Sequence, residues 1–195
     1  MTETLIDRAP ELALEWHKAG RRAALATVIE TWGSAPRGAG AQLVIAGDGE
    51  MQGSVSGGCV EGAVVVEALE ALDQGQARVL EYGVSDDDAF AVGLACGGTI
   101  RVLVEPVGAT LSEDMLNTIV ATRATREQLA YVADLNSQDR TLVTDGYPAR
   151  FAQDKSGVEE DGQTFVGIHN PPLRLAIVGG VHIAQALVPL SLIHI

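Results

Sequence analysis

A chain of 195 residues, 47% hydrophobic and 20% charged, holds enough apolar material for one full domain and part of another, which excludes a disordered chain. Thirteen Lys and Arg against 26 Asp and Glu leave a net charge of −13, a surface that repels phosphate backbones and anionic lipid and so excludes nucleic acid as a partner. No apolar run reaches the ~18 residues of a membrane helix. Glu3, Asp7 and Glu11 stand where an export signal would be basic and then apolar, so the expected location is the cytoplasm, with Cys59 and Cys96 kept as thiols.

Thr2 to Ala19 reads as an amphipathic helix, with Pro10 placing its true start at Ala9 or Pro10. Arg22 to Thr31 is a strand, and Gly33 to Gly40 is a loop too rich in Gly and Pro for a regular element. Gln42 to Ala46 and Glu50 to Ser56 form a hairpin, and the chain turns through Gly57-Gly58 into a helix that Gly75 stops. Arg78 to Tyr82 is a strand. Ser85 to Asp88 reads as a capped helix start, and Thr99 to Glu105 as a further strand. Leu111 to Thr125 is a helix, Leu129 to Leu135 and Thr141 to Thr144 are strands, and Asp145 to Gly162 is a polar hairpin or linker. His169 falls in that linker region. After Pro171-Pro172 a strand from Leu173 to Val178 leads through Gly179-Gly180 into a new helix.

The fold class is therefore α/β: an α+β N-terminal domain with a mixed sheet and flanking helices, then the first strand and helix of a truncated Rossmann-like domain. The expected divisions are 1–145 for the first domain, 146–172 for the linker and 173–195 for the second.

Two glycine–cysteine turns carry the chemistry. In Gly53 to Gly62, a strand ends in Ser56-Gly57-Gly58-Cys59 at a helix start. Free N–H groups there suit an anion, and a thiol at a helix N-terminus is favoured as thiolate. The plainer reading is a tight turn with a small buried cysteine beneath it. Cys96-Gly97-Gly98 inverts the order and runs into a strand. Two glycine-lined thiols around one cleft are harder to explain by burial alone. Arg37 lies inside the glycine-rich loop, between Pro36 and Gly38. Its guanidinium would bind phosphate or a polar heterocycle, whereas the plainer reading is a solvated loop arginine.

Four ordered segments resemble the XdhC/CoxI family of accessory proteins for xanthine dehydrogenase and related molybdenum hydroxylases. They are Thr31-Trp32-Gly33-Ser34-Ala35-Pro36-Arg37, Gly53-Ser54-Val55-Ser56-Gly57-Gly58-Cys59-Val60-Glu61, Gly83-Val84-Ser85-Asp86 and Gly93-Leu94-Ala95-Cys96-Gly97-Gly98. The resemblance is dense from Ala24 to Pro106, weakens to Asn170, and returns at Arg174 to Gln185 as the start of a Rossmann domain. It implies a maturation factor that is more a binding protein than an enzyme. Such a protein binds the molybdenum cofactor (molybdopterin) transiently, protects it while a cysteine desulfurase supplies the terminal sulfido ligand, and delivers it to an apo molybdenum hydroxylase of the xanthine dehydrogenase type. A homodimer is compatible with this. Carried over as cofactor-binding residues are Arg37, Ser56, Gly57, Gly58, Cys59, Cys96, Gly97 and Gly98; no catalytic or metal-ligating residue is assigned.

The chain departs from the family at Val181, where the dinucleotide pattern needs its second glycine, and at Pro189 and the final residues, which read as a truncated fragment with a foreign tail. Two other classes stay open. One is an NAD(P)-binding oxidoreductase, prompted by Gly179-Gly180; the other is a thiol-dependent enzyme with Cys59 as nucleophile.

Overall fold

The computed structural model describes residues 8–83, 98–137, 139–171 and 176–194. Helix α1 spans Ala9–Lys18, with Pro10 in the first turn, where a missing N–H is harmless. Ala9, Ala13, Leu14 and Trp16 are its buried stripe. Strands β1 (Ala23–Trp32), β2 (Gln42–Ala46), β3 (Met51–Gly53), β4 (Arg78–Tyr82) and β5 (Thr99–Pro106) form a sheet in the order β3-β2-β1-β5-β4.

The α/β class stands, but the expected mixed sheet does not: every strand pair in this sheet is antiparallel. Helix α2 (Glu61–Gln74) explains why. It carries the chain from β3 at one edge to β4 at the other, so its crossover creates no adjacent parallel pair.

Strand β1 is buried on both faces, and its alternation sorts two cores. Ala24, Ala26 and Val28 join Leu43, Ile45, Val102 and Val104 under Val64, Ala68 and Ala71 of α2. Ala23, Leu25 and Ile29 face the other way, with Val44 and Leu103, toward α1 and helix α3 (Glu113–Thr125). A register shift between Val28 and Glu30 bends β1 before its exposed end at Trp32. Ser112 caps α3 by accepting the Met115 N–H at 3.2 Å.

The second sheet corrects the linker reading. Strands β6 (Leu129–Asp134), β7 (Arg140–Val143), β8 (Gly157–Val158) and β9 (Thr164–His169) pair antiparallel in the order β7-β6-β9-β8, with helix α4 at Pro148–Gln153. The stretch 146–172, expected to be a linker, thus supplies α4, β8 and β9. Its polarity misleads because the polar groups are internal partners. Arg150 donates through Nε to Glu159 at 2.5 Å and through its terminal nitrogens to the carbonyls of Lys155 and Val158. Phe151, Phe165 and Val166 supply the apolar anchors.

The two sheets share one core, in which Tyr131 and Phe165 meet Leu25 and Leu103. Glu105 points from β5 into this seam. It accepts from Tyr131 Oη at 2.7 Å and Arg140 Nε at 2.5 Å. A small cavity beside it is lined by Leu25, Leu111 and Phe165 together with the polar side chains of Thr27, Gln42, Ser156 and His169. Burial, with the Arg123 charge adding to it, holds His169 down at about 4, so it is neutral near pH 7.

Of the strand expected at Leu173 to Val178, residues 173–175 lie outside the described residues, and 176–178 form no strand. Helix α5 spans His182–His194 with Pro189 inside it, and Val178, Val181 and Ile183 are exposed.

Candidate functional site

The turn between β3 and α2 is built by two left-handed glycines followed by a helix start. Gly57 has φ +82° and Gly58 φ +116°, a backbone region other residues rarely adopt. The N-cap of α2 is Val60, so Cys59 stands one residue before the cap, at the helix start. Its thiol is free and exposed. This differs from the plainer reading of a cysteine buried under the turn.

The expectation of free N–H groups in this turn is overturned. Glu61, only 6% exposed, folds its carboxylate back into the turn. Oε1 accepts from the Ser54 hydroxyl (2.8 Å) and from the N–H groups of Val55 (3.1 Å), Ser56 (2.9 Å) and Gly57 (3.1 Å). Oε2 accepts from the Ser56 hydroxyl (2.5 Å) and the Gly58 N–H (2.9 Å). The Ser56 hydroxyl oxygen in turn accepts the N–H groups of Cys59 and Val60, both at 3.0 Å. Burial opposes the charge on Glu61, yet the hydroxyl and N–H of Ser56 and the hydroxyl of Ser54 outweigh it. They hold the carboxyl down at about 2. The concave arrangement of N–H groups is a genuine anion nest, but its anion is part of the chain.

The Arg37 loop adjoins this turn. A Cβ built on Gly57 would meet the Pro36 ring at 3.4 Å, so Pro36 lies against the turn and Arg37 follows it. Arg37 is half-buried rather than a solvated loop residue, and among the described residues its buried Nε has no hydrogen-bond partner. A buried guanidinium N–H left unpaired is costly, and an anionic or carbonyl-bearing ligand would satisfy it.

Of the second expected turn, Cys96 and Gly97 lie outside the described residues, as does the helix start at Ser85 to Asp88. Gly98 is described and buried. A Cβ there would sit 2.6 Å from the Ser34 carbonyl oxygen and 2.8 Å from that of Trp32. The Arg37 loop, the Cys59 turn and the start of β5 therefore converge at one end of the first sheet. Gly98→Ala should force β5 away from the 32–34 backbone and destabilise the chain by about 1–3 kcal/mol. Thermal unfolding checks this, and an unchanged midpoint would mean the approach is looser than the geometry indicates.

Two residues of this site were missed in the sequence. Glu61 is one; its signal was an acidic residue in a helix first turn, two positions after the cysteine and following a serine- and glycine-rich turn. Trp32 is the other, 47% exposed at the end of β1 beside the Arg37 loop. Among the described residues no group of three His, Cys, Asp or Glu could hold a metal ion.

These features define an α/β domain that presents an exposed thiol and a partly buried guanidinium on adjoining glycine-rich loops. Residues 16–83 match the model of the XdhC and CoxI family. It is 44% identical over 90 residues to the "Molybdenum cofactor insertion chaperone PaoD" of Escherichia coli, a match covering 46% of this chain and 28% of that protein. It is 36% identical over 87 residues to a probable xanthine dehydrogenase subunit of Bacillus subtilis, covering 44% of this chain and 26% of that one. A crystal structure described as a xanthine dehydrogenase from Bacillus halodurans superposes with TM-score 0.65 at 25% identity, over 84% of this chain and 53% of that chain. The matched stretch thus spans about a quarter of the length of these two curated relatives.

Proposed function

We propose that the protein is a maturation factor for a molybdenum hydroxylase of the xanthine dehydrogenase type. In this reading it binds the molybdenum cofactor transiently in the cytoplasm, keeps it available for sulfuration by a cysteine desulfurase, and passes it to the apo-enzyme. The observation that carries the reading is the buried Nε of Arg37, without a partner among the described residues, on a loop whose Pro36 lies against the turn that carries the exposed Cys59 thiol, inside the segment that matches the family. The donor set suits the cargo. A guanidinium pairs with the phosphate or the polar heterocycle of a pterin, and a soft thiol suits molybdenum or a transferable sulfur.

In this mechanism Arg37 binds and orients the anionic part of the cargo. Cys59 offers its thiol at the mouth of the site. The backbone of the 56–59 turn shapes the approach and gives no N–H to the phosphate, because Glu61 and the Ser56 hydroxyl already take those donors. Gly98 closes the site from the β5 side.

Arg37→Ala should weaken cofactor binding by about 1.5–3 kcal/mol, the worth of a charge-assisted hydrogen bond. Arg78→Ala is the control: Arg78 pairs with Glu67 at 2.5 Å and Glu70 at 2.9 Å, tying β4 to α2, and should leave affinity intact. Titration followed by pterin fluorescence measures both. Equal affinity for the two variants removes Arg37 from the site.

The chain contains two tryptophans. Trp16 is buried, with Arg21 stacked 4.6 Å from its ring centroid. Cofactor binding should therefore quench the exposed Trp32 selectively, and Trp32→Phe should abolish the change. A signal that survives Trp32→Phe would place the ligand away from this rim.

A further inference from the structure

We propose that Glu61 is a positioning residue of the binding site: by filling the anion nest of the 55–58 turn with its own carboxylate, it fixes the backbone that carries Cys59 and leaves Arg37 as the anion receptor. The inference deepens the reading of a cofactor-binding protein and rests on it.

Three observations carry it. First, the nest is saturated. The N–H groups of Val55, Ser56, Gly57 and Gly58 all donate to Glu61, so an external phosphate meets no free donor there. Second, the carboxylate is wired to the thiol-bearing residue. Glu61 Oε2 accepts from the Ser56 hydroxyl, whose oxygen accepts the Cys59 N–H, so the Cys59 backbone is held through one intermediate. Third, Arg37, whose Nε lacks a partner among the described residues, does not pair with this carboxylate, although its loop lies against the same turn through Pro36. Within one small site the chain supplies one anion to one set of donors and leaves another donor unpaired. An incoming anion is thereby directed to Arg37, while the Cys59 backbone keeps a fixed place on the adjoining turn.

The test uses the full chain with Glu61→Ala and Glu61→Gln. Alkylation of Cys59 by iodoacetamide is followed on its own peptide by mass spectrometry, and cofactor affinity by pterin fluorescence. Removing the carboxylate frees the turn and takes a negative charge away from the thiol, so Cys59 in Glu61→Ala should alkylate severalfold faster at neutral pH. Its cofactor affinity should fall about tenfold. Sodium formate, small enough to enter the emptied nest, should reverse both changes in Glu61→Ala. Sodium chloride at equal ionic strength should not. Glu61→Gln fills the space with an amide whose NH₂ faces other donors, and should show the same defects without formate rescue.

A folded Glu61→Ala with wild-type alkylation and affinity overturns the proposal, as does a defect that formate leaves untouched. If Glu61→Ala does not fold, wild-type behaviour of Glu61→Gln overturns it equally. If the wild-type chain binds no cofactor, the proposed function fails, and the alkylation and formate arms still decide the role of Glu61.

Discussion

Replacing Arg140 by alanine should destabilise the protein by about 3–5 kcal/mol, the cost of stranding a buried charge partner. Arg140 and Glu105 are each 3% exposed at the side chain and lie 2.5 Å apart. Arg140 also donates through one terminal nitrogen to the carbonyls of Asp134, Ser137 and Asp139, so its loss frees several acceptors at once. Tyr131 would remain to serve the carboxylate. Burial pushes the Glu105 carboxyl up, against the pull of Arg140 and the Tyr131 hydroxyl. In the variant the carboxyl should therefore take up a proton. A folded-state pKa raised above the unfolded value gives stability that is present at low pH and lost as pH rises through it. The deficit of Arg140→Ala should accordingly grow from pH 5 to pH 8. Urea unfolding across that range measures it. A loss below 1 kcal/mol that does not vary with pH would show that the pair is open to water.

The second large effect concerns acid stability. Glu61 is held at about 2 in the folded protein against an ordinary value of 4.5. A depressed carboxyl contributes stability that is complete above the unfolded value and disappears as pH falls through the folded one. The window is therefore about pH 4.5 down to 2, and the contribution is about 3 kcal/mol. Glu61→Gln should be less stable than wild type by about that amount at pH 7, and the difference should close toward pH 2. Chemical unfolding of both proteins at pH 7, 4 and 2.5 measures the two curves. A constant difference across the three would assign the loss to shape and not to charge.

The residues that were legible in the sequence are those whose local pattern decides their structure. Helices α1 and α2 show their apolar stripes, Gly75 stops α2 in the left-handed conformation, and β4 falls where the alternation put it, at Arg78–Tyr82. The Ser56 to Cys59 turn is legible because Gly57 and Gly58 need positive φ.

What was illegible depends on distant partners. Strand β8 has two residues and gains its identity from β9. Arg150 looks solvated in sequence but is anchored to Glu159 and two carbonyls. His169 reads as a linker residue, yet it ends β9 and pairs in register with Leu129. Within the site, a glycine turn at a helix start announces an anion nest, and an acidic residue in the first turn of α2 is visible, but the pattern does not tell that its carboxylate turns back to fill the nest. That follows from a side chain turning back on its own helix, a choice made by the donors of residues 54–58 together.

The most direct test of the central claim is elemental analysis with pterin fluorescence on the protein purified from cells that also make the cofactor. The account predicts that molybdenum and pterin copurify with the wild-type chain in a constant ratio, and that Arg37→Ala loses both while Arg78→Ala keeps them. Wild-type protein that is folded, carries its free Cys59 thiol, and retains neither molybdenum nor pterin would contradict it.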